Sequence, residues 1–398
     1  MDRSRKHVRY ASGTTSSYGT YGMSESKAKK RRSRGISERM RAAVIVLALA
    51  VFIAVAISYA LAGMGRTAVG RVTRIGATLS QNVRPFGDSV IFYDGTTLHC
   101  VAATGGNKWS YQIGTGADYD ATEDRIVAWS GNDLYILNSR GRLIYNNSMS
   151  DAVQFASAGK GYVAAFIGQA DNGVITVIDE NGQIVDNITV ENQTLLDIGF
   201  FFSETSSSAQ QVELMWTLGL DTTGTVISTE LQTFQPGRLS TGKASLGEHI
   251  AYSVYTANNM LNVVDTRKIA HYNYRVIEQS SDTLIYGYTM EDVRQVGGVT
   301  YQLLIPAQET GIAVNNVRLM AGTVDRVMHL PSPCIAAKLG TRSIYGFSQN
   351  AVYVCGFGET TFVAHALPIN ITAVLGMISD NRAVVAAGSE IYVIELPQ

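Results

Sequence analysis

Proline and cysteine are scarce in this chain, with seven and three in 398 residues. So few prolines leave β-strands largely uninterrupted. Three cysteines are too few for a small exported domain stapled by disulfides, so the apolar core must hold the fold. Cys334 and Cys355 are candidates to pair, leaving Cys100 over; the alternative is three buried thiols. The six histidines (His7, His99, His249, His271, His329 and His365) are scattered. Neither HExxH nor CxxC occurs, so no metal site is expected. GxSxG, Walker A and dinucleotide fingerprints are missing too, and no cofactor and no catalytic residue is expected. Long stretches of helical periodicity are also lacking in the body of the chain.

What is present begins with charge asymmetry. Residues 1–41 carry twelve Lys/Arg against three Asp/Glu, and the remaining 357 residues carry twenty against thirty. The net charge of -1 conceals this division. Between the two lies a 21-residue run without a charge, Ala42 to Ala62 (AAVIVLALAVFIAVAISYALA). A helix of that length roughly matches a bilayer core of about 30 Å. Ala60-Leu61-Ala62 has the small-x-small form of a signal-peptidase site, but the run exceeds a usual h-region and the basic arm exceeds a usual n-region. A retained signal anchor is therefore expected. The basic cluster beside it comprises Lys27, Lys29, Lys30, Arg31, Arg32, Arg34, Arg39 and Arg41, with only Arg66, Arg71 and Arg74 following closely. The positive-inside rule then places the amino terminus in the cytoplasm and the body outside, on a single-pass membrane protein. Such a cluster suits anionic headgroups, and no nucleic-acid partner is expected. The Ser/Thr/Tyr/Gly-rich segment Tyr10 to Ser26 cannot bury enough apolar surface to fold, so residues 1–41 are expected to be disordered.

The body has a β texture. Runs rich in Val, Ile, Tyr and Phe recur between Gly, Asn and Asp turns: Ser89 to Tyr93 with Thr97 to Ala102, Arg125 to Trp129 with Leu134 to Asn138, and Tyr162 to Ile167 with Val174 to Asp179. Gly87, Asp124 and Gly161 mark equivalent starts, a period of 37 residues repeated twice. Looser copies are Val212 to Leu218 with Thr225 to Leu231, Ile250 to Tyr255 with Leu261 to Asp265, Leu284 to Tyr288 with Val299 to Leu304, Ser343 to Phe347 with Ala351 to Gly356, and Ala383 to Ala387 with Ile391 to Leu396. A period near 40 with three or four short strands per unit predicts a β-propeller of seven or eight blades. A strand between Gly70 and Leu79 would close the ring against the last one. The expected layout is a tail at 1–41, a transmembrane helix at 42–62, a linker with a ring-closing strand at 63–82, and a propeller at 83–398.

The segment Asp94 to Trp109 (DGTTLHCVAATGGNKW) resembles the repeat of pyrroloquinoline-quinone-type propellers, within the wider WD40-like group, and Asn138 to Tyr145 and Asp179 to Val185 look like degenerate copies. The layout is similar to membrane-anchored propeller proteins of clostridia and their relatives. That likeness implies fold and topology, a Gram-positive cell and a cell-surface location, and it brings no activity. Quinone catalysis is not implied: adjacent cysteines are missing, and Trp109 and Trp129 sit where blade packing explains them. Gly114-Thr115-Gly116 with Asp118, Asp120, Glu123 and Asp124 reads as an acidic loop between blades, with calcium the lesser alternative. Four Asn-x-Ser/Thr sites, at Asn146, Asn187, Asn192 and Asn370, are explained by turns.

These readings favour a non-enzymatic, membrane-anchored scaffold outside the cytoplasm that binds a protein or cell-envelope partner and takes no small-molecule substrate. Its expected surface is the pair of insertions Phe202 to Gln211 and Met290 to Gly298. A ligand sensor signalling through the single helix is the alternative, and a degenerate quinoprotein-like enzyme comes third.

Overall fold

A computed structural model describes residues 47–53 and 69–397, apart from 206, 207, 239, 249, 280 and 281. The chain divides into two compact units, Met1–Gly63 and Met64–Gln398. In the first, residues 47–53 are helical and exposed. Among the described residues no helix is long and apolar enough to cross a membrane. The rest of the expected span, the expected disordered tail and its basic cluster lie outside the described residues.

The second unit is an eight-bladed propeller: eight antiparallel sheets of four strands each. Blades 1, 2 and 3 occupy residues 82–112, 118–148 and 153–191, and blades 4, 5 and 6 occupy 193–245, 253–284 and 288–334. Blade 7 occupies 336–366. Blade 8 combines Ala373–Ser379, Arg382–Ala387 and Glu390–Glu395 with the first strand of the unit, Val72–Thr78. That strand pairs antiparallel with Glu390–Glu395, Val72 opposite Ile394 and Ile75 opposite Ile391. The ring is thereby closed as expected, and no outer blade is left three-stranded.

The middle strands explain the apolar runs. Ser89–Tyr93 (SVIFY) is buried at four consecutive positions rather than alternately, because both faces of each sheet are covered by neighbouring blades. Eight apolar clusters result, one in each gap between blades. The gap between blades 1 and 2 holds Ile91, Leu98, Tyr119 and Ile126, and that between blades 2 and 3 holds Val127, Ile136, Val163 and Ile178. The gap between blades 5 and 6 is the thinnest, with Val264, Ile269, Ile285 and Leu304 alone fully buried.

Antiparallel order fixes two ends of the ring. The turns joining first to second and third to fourth strands share one end, here the hairpin end. Second-to-third turns and the connections between blades share the other, the crossover end. In blades 1 to 4 the third turn leans on the outer strand of the blade before it, and this contact accounts for the glycine repeated there. Gly141 has φ of 74°, and a Cβ there would lie 2.4 Å from Trp109 Cδ2 in the preceding blade. Trp109 Nε1 in turn donates to the Ser139 carbonyl at 3.1 Å. Gly105, Gly182 and Gly237 occupy the same place in their blades. The Gly-then-Trp spacing of the repeat is thus a between-blade contact.

Several expected elements differ. Of the segment Leu284 to Tyr288, read as one strand, Ile285 to Gly287 form the connection from blade 5 to blade 6; Gly287 has φ of 75° and Ile285 turns inward into the thin cluster. Thr225 to Ile227 and Ile250 to Tyr252, read as parts of strands, lie in a turn and a connection before strands that begin at Ser228 and Ser253. Asp118–Ala121, read as part of an acidic loop, is the first strand of blade 2. The two predicted insertions are not loops, as described next.

Candidate interaction surface

First strands of adjacent blades touch between blades 8 and 1, 2 and 3, 3 and 4, 6 and 7, and 7 and 8, so they line the axis of the ring. Their polar side chains bind the neighbouring blade. Asp120 of blade 2 pairs with Arg84 of blade 1 at 3.0 Å and accepts from the Ala158 amide of blade 3 at 3.0 Å. Asp118 accepts from Asn82 Nδ2 at 2.9 Å, and Asp292 accepts from the Leu339 amide at 2.8 Å. Arg294 of blade 6 donates to the Leu339 carbonyl of blade 7 at 2.9 Å and reaches past it to pair with Asp380 of blade 8 at 3.2 Å. Lys338 pairs with Glu291 at 3.0 Å. Glu213, on the second strand of blade 4, accepts from the Lys160 and Gly161 amides of blade 3 at 2.5 and 2.6 Å. Burial raises the Glu213, Asp292 and Asp197 carboxyls above their ordinary values. Glu213 and Asp292 nevertheless accept from amides of the neighbouring blade, which ties them to blade alignment, whereas Asp197 accepts from the adjacent Ile198 amide. Among the described residues no group of three or more His, Cys, Asp or Glu side chains comes together to hold a metal ion.

The histidines fall to separate structural partners. His99 Nε2 lies 2.8 Å from Asp94 Oδ2, with its ring stacked on Phe92. His271 is held from both sides, Nδ1 2.6 Å from Asn262 Oδ1 and Nε2 3.1 Å from Thr283 Oγ1, and burial lowers its pKa. His329 Nδ1 lies 2.8 Å from Asn316 Oδ1. His7 and His249 lie outside the described residues. The expected candidate pair Cys334 and Cys355 is not joined, and Cys100 is free as well. Cys334 and Cys355 share one apolar cluster, yet their thiols point to different carbonyls, those of Ser332 and Gly356. Burial pushes the Cys334 thiol up to about 12, which keeps it protonated.

The segments Phe202 to Gln211 and Met290 to Gly298 belong to hairpins that outgrow the regular blade. Blade 4 pairs Gln193–Thr205 with Ser208–Asp221, and blade 6 pairs Tyr288–Val296 with Val299–Pro306. Between them stands the blade 5 hairpin of Ser253–Ala257 and Met260–Val264. Its turn residues Asn258 and Asn259 both adopt positive φ, 54° and 60°, the twist a two-residue hairpin needs. Side-chain amides lace the three together. Gln211 Nε2 donates to Asn259 Oδ1 at 3.0 Å, and Gln295 Nε2 donates to Asn258 Oδ1 at 3.0 Å. Asn258 Nδ2 reaches Thr300 Oγ1 at 3.3 Å.

Two grooves flank this ridge. One of about 300 Å³ lies between blades 4 and 5 beside Phe202, Thr256 and Asn258. One of about 450 Å³ lies above the thin cluster between blades 5 and 6, beside Met260, Thr300, Gln302 and Met320. Their walls offer amides, hydroxyls and thioethers, groups that suit a peptide main chain and its apolar side chains. The sequence marks the two long hairpins only as polar insertions. The blade 5 turn, which joins them, was legible as Asn258-Asn259 between two β runs.

No sequence family matches the chain, and no curated protein matches it either. Solved structures do match in shape. The WD40 domain of SCAP from fission yeast aligns with 82% of this chain and 98% of its own length, at 8% identity and a TM-score of 0.56. Sqt1 of Saccharomyces cerevisiae aligns with 84% of this chain and 100% of its own length, at 9% identity and a TM-score of 0.54. At such identity the likeness speaks for fold alone. In fold, then, the chain is a WD40-like β-propeller.

Proposed function

We propose that this protein is a non-enzymatic scaffold, a β-propeller held on the outer face of a membrane by the apolar run Ala42 to Ala62 and engaging a protein or cell-envelope partner. The observation that carries the scaffold reading is the amide-laced ridge of three hairpins on blades 4, 5 and 6. A propeller fixes its blades through buried clusters and leaves turn length free, so an enlarged, cross-braced set of turns is a rigid platform for recognition. The anchor and the outside location rest on the sequence: the charge-free run and the excess of Lys/Arg before it.

Proximity crosslinking in the native cell tests both parts, comparing the full chain with an anchor-only form lacking residues 66–398. Envelope or secretion proteins enriched only with the full chain are the expected result. Recovery of the full chain from the soluble fraction would reject the anchor, and equal partner lists from both forms would reject the scaffold.

A further inference from the structure

The opposite end of the same three blades carries a different surface. At the crossover end, Val226 and Ile227 are each 53% exposed in the second turn of blade 4, Ile250 is 61% and Tyr252 42% exposed in the connection to blade 5, Tyr286 is 63% exposed in the connection to blade 6, and Ile312 is 82% exposed in the second turn of blade 6. Backbone and side-chain bonds stitch these loops into one shelf. The Thr229 amide donates to the Gly247 carbonyl at 3.0 Å and the Leu246 amide to the Thr229 carbonyl at 2.7 Å, joining the first loop to the second. The Met290 amide donates to the Tyr252 hydroxyl at 3.1 Å, joining the second to blade 6. The Ala307 amide donates to the Gly287 carbonyl at 2.8 Å, joining the Tyr286 loop to the Ile312 loop. Among the described residues of the other five blades, Leu79 alone is a large exposed apolar side chain at this end.

Scattered apolar side chains on a surface need no explanation, whereas a contiguous group confined to one sector marks a contact site. Charge around the shelf selects the occupant. Asp221, Glu248 and Glu309 belong to the loops of this end, where Arg267 is a cation while Lys243 and Lys268 are paired with Glu230 and Asp282. A second copy docking by the same face would set acidic rim against acidic rim, and an anionic bilayer would be repelled in the same way. Basic residues flanking apolar ones answer both features.

We propose that the shelf of Val226, Ile227, Ile250, Tyr252, Tyr286 and Ile312 is the docking surface for a segment of a partner protein that carries aliphatic side chains flanked by Lys or Arg. It goes beyond the scaffold reading by naming a face and a partner chemistry, and it stands whether or not the hairpin ridge binds anything.

The test uses the full chain in nanodiscs of neutral lipid and a fluorescent peptide of alternating leucine and lysine. Binding should weaken about tenfold or more in the triple variant I250S/Y286S/I312S, in the range that loss of buried anchor residues produces. It should also weaken as salt rises, and a peptide with glutamate in place of lysine should bind far less. The triple variant should melt at the wild-type temperature, since all three side chains are exposed. Equal affinity of wild type and triple variant overturns the proposal. So does a dimer in sedimentation that the triple variant loses, which would make the occupant a second copy. Quenching of a Y286W reporter by brominated phosphatidylglycerol would make it the bilayer instead. Each of these outcomes is independent of the crosslinking result above.

Discussion

Blades 1 to 3 and blades 4 to 6 are built from the same four-stranded unit, yet they differ in what their sequence is used for. In blades 1 to 3 the strands run four to eight residues and turns recur at a fixed spacing. Polar side chains such as Asp120 reach both neighbours, and the gaps are filled by broad clusters. In blades 4 to 6 strands reach 13 and 14 residues, the gap between blades 5 and 6 has four fully buried side chains, and large apolar groups sit in solvent at both ends. In a ring where each blade contacts only its neighbours, regularity on one side tolerates divergence on the other. The regular sector reads as the part that holds the ring, and the divergent sector as the part free to recognise something.

The largest test of that contrast is a pair of glycines. G141V in blade 2 should cost about 3 kcal/mol or more in denaturant unfolding, because the new side chain meets the Trp109 ring and φ is positive. G298A in the blade 6 hairpin has φ of 80° but nothing within 4 Å, so it should cost only about 1 kcal/mol. Equal costs would mean that the third-turn glycine serves conformation alone and not the contact between blades.

A smaller effect concerns acid. The Asp94 carboxyl in blade 1 is held well below its ordinary value, chiefly by the His99 hydrogen bond. Its contribution is therefore present above the unfolded value of 3.8 and is lost as pH falls. Glu213 of blade 4 is raised by burial, so its contribution is full below 4.5 and is lost as pH rises through the folded value. Melting the wild type beside D94N and E213Q from about pH 3 to about pH 7 should give gaps of opposite slope, widening with pH for D94N and narrowing for E213Q. Solvent screening keeps the D94N gap small. Slopes of the same sign would contradict the burial of Glu213 between blades 3 and 4.

The smallest effect is expected at the ridge. The double variant Q211A/Q295A removes two exposed amide bonds and should cost about 1 kcal/mol or less in total. Hydrogen exchange should rise at the tips of the three hairpins and stay unchanged in blades 1 to 3. Faster exchange throughout the ring would show that the lacing supports the fold rather than the ridge.

Sequence reasoning reached the middle strands because these are buried on both faces and carry unbroken apolar runs. Ser89–Tyr93, Thr97–Ala102, Ser343–Phe347 and Ala351–Gly356 coincide with the expected spans. It missed first strands such as Asn82–Phe86, Asp118–Ala121 and Ala336–Leu339, which are short and carry polar side chains where they line the axis. Met290 to Val296 read as an insertion because the segment is polar, although backbone pairing with Val299–Pro306 makes it a strand. The ridge depends on three hairpins whose bonded residues lie 37 to 48 positions apart, and the apolar shelf on four separate loops. Neither has a local pattern. The one available signal for the shelf was a large aliphatic residue in a turn at Gly311-Ile312, because Thr225 to Leu231 and Ile250 to Tyr255 read as strands.

The pairing of Val72–Thr78 with Glu390–Glu395 also sets a clock on synthesis. Its two strands are made about 320 residues apart, so at typical elongation rates the earlier one waits about 20 to 60 s for its partner. Throughout that interval it is an unpaired edge, the kind of segment that aggregates. Thr73 and Arg74, polar residues in the middle of that strand, make it a poor template for self-association while it waits, and Arg74 later finds Glu390 across the finished seam.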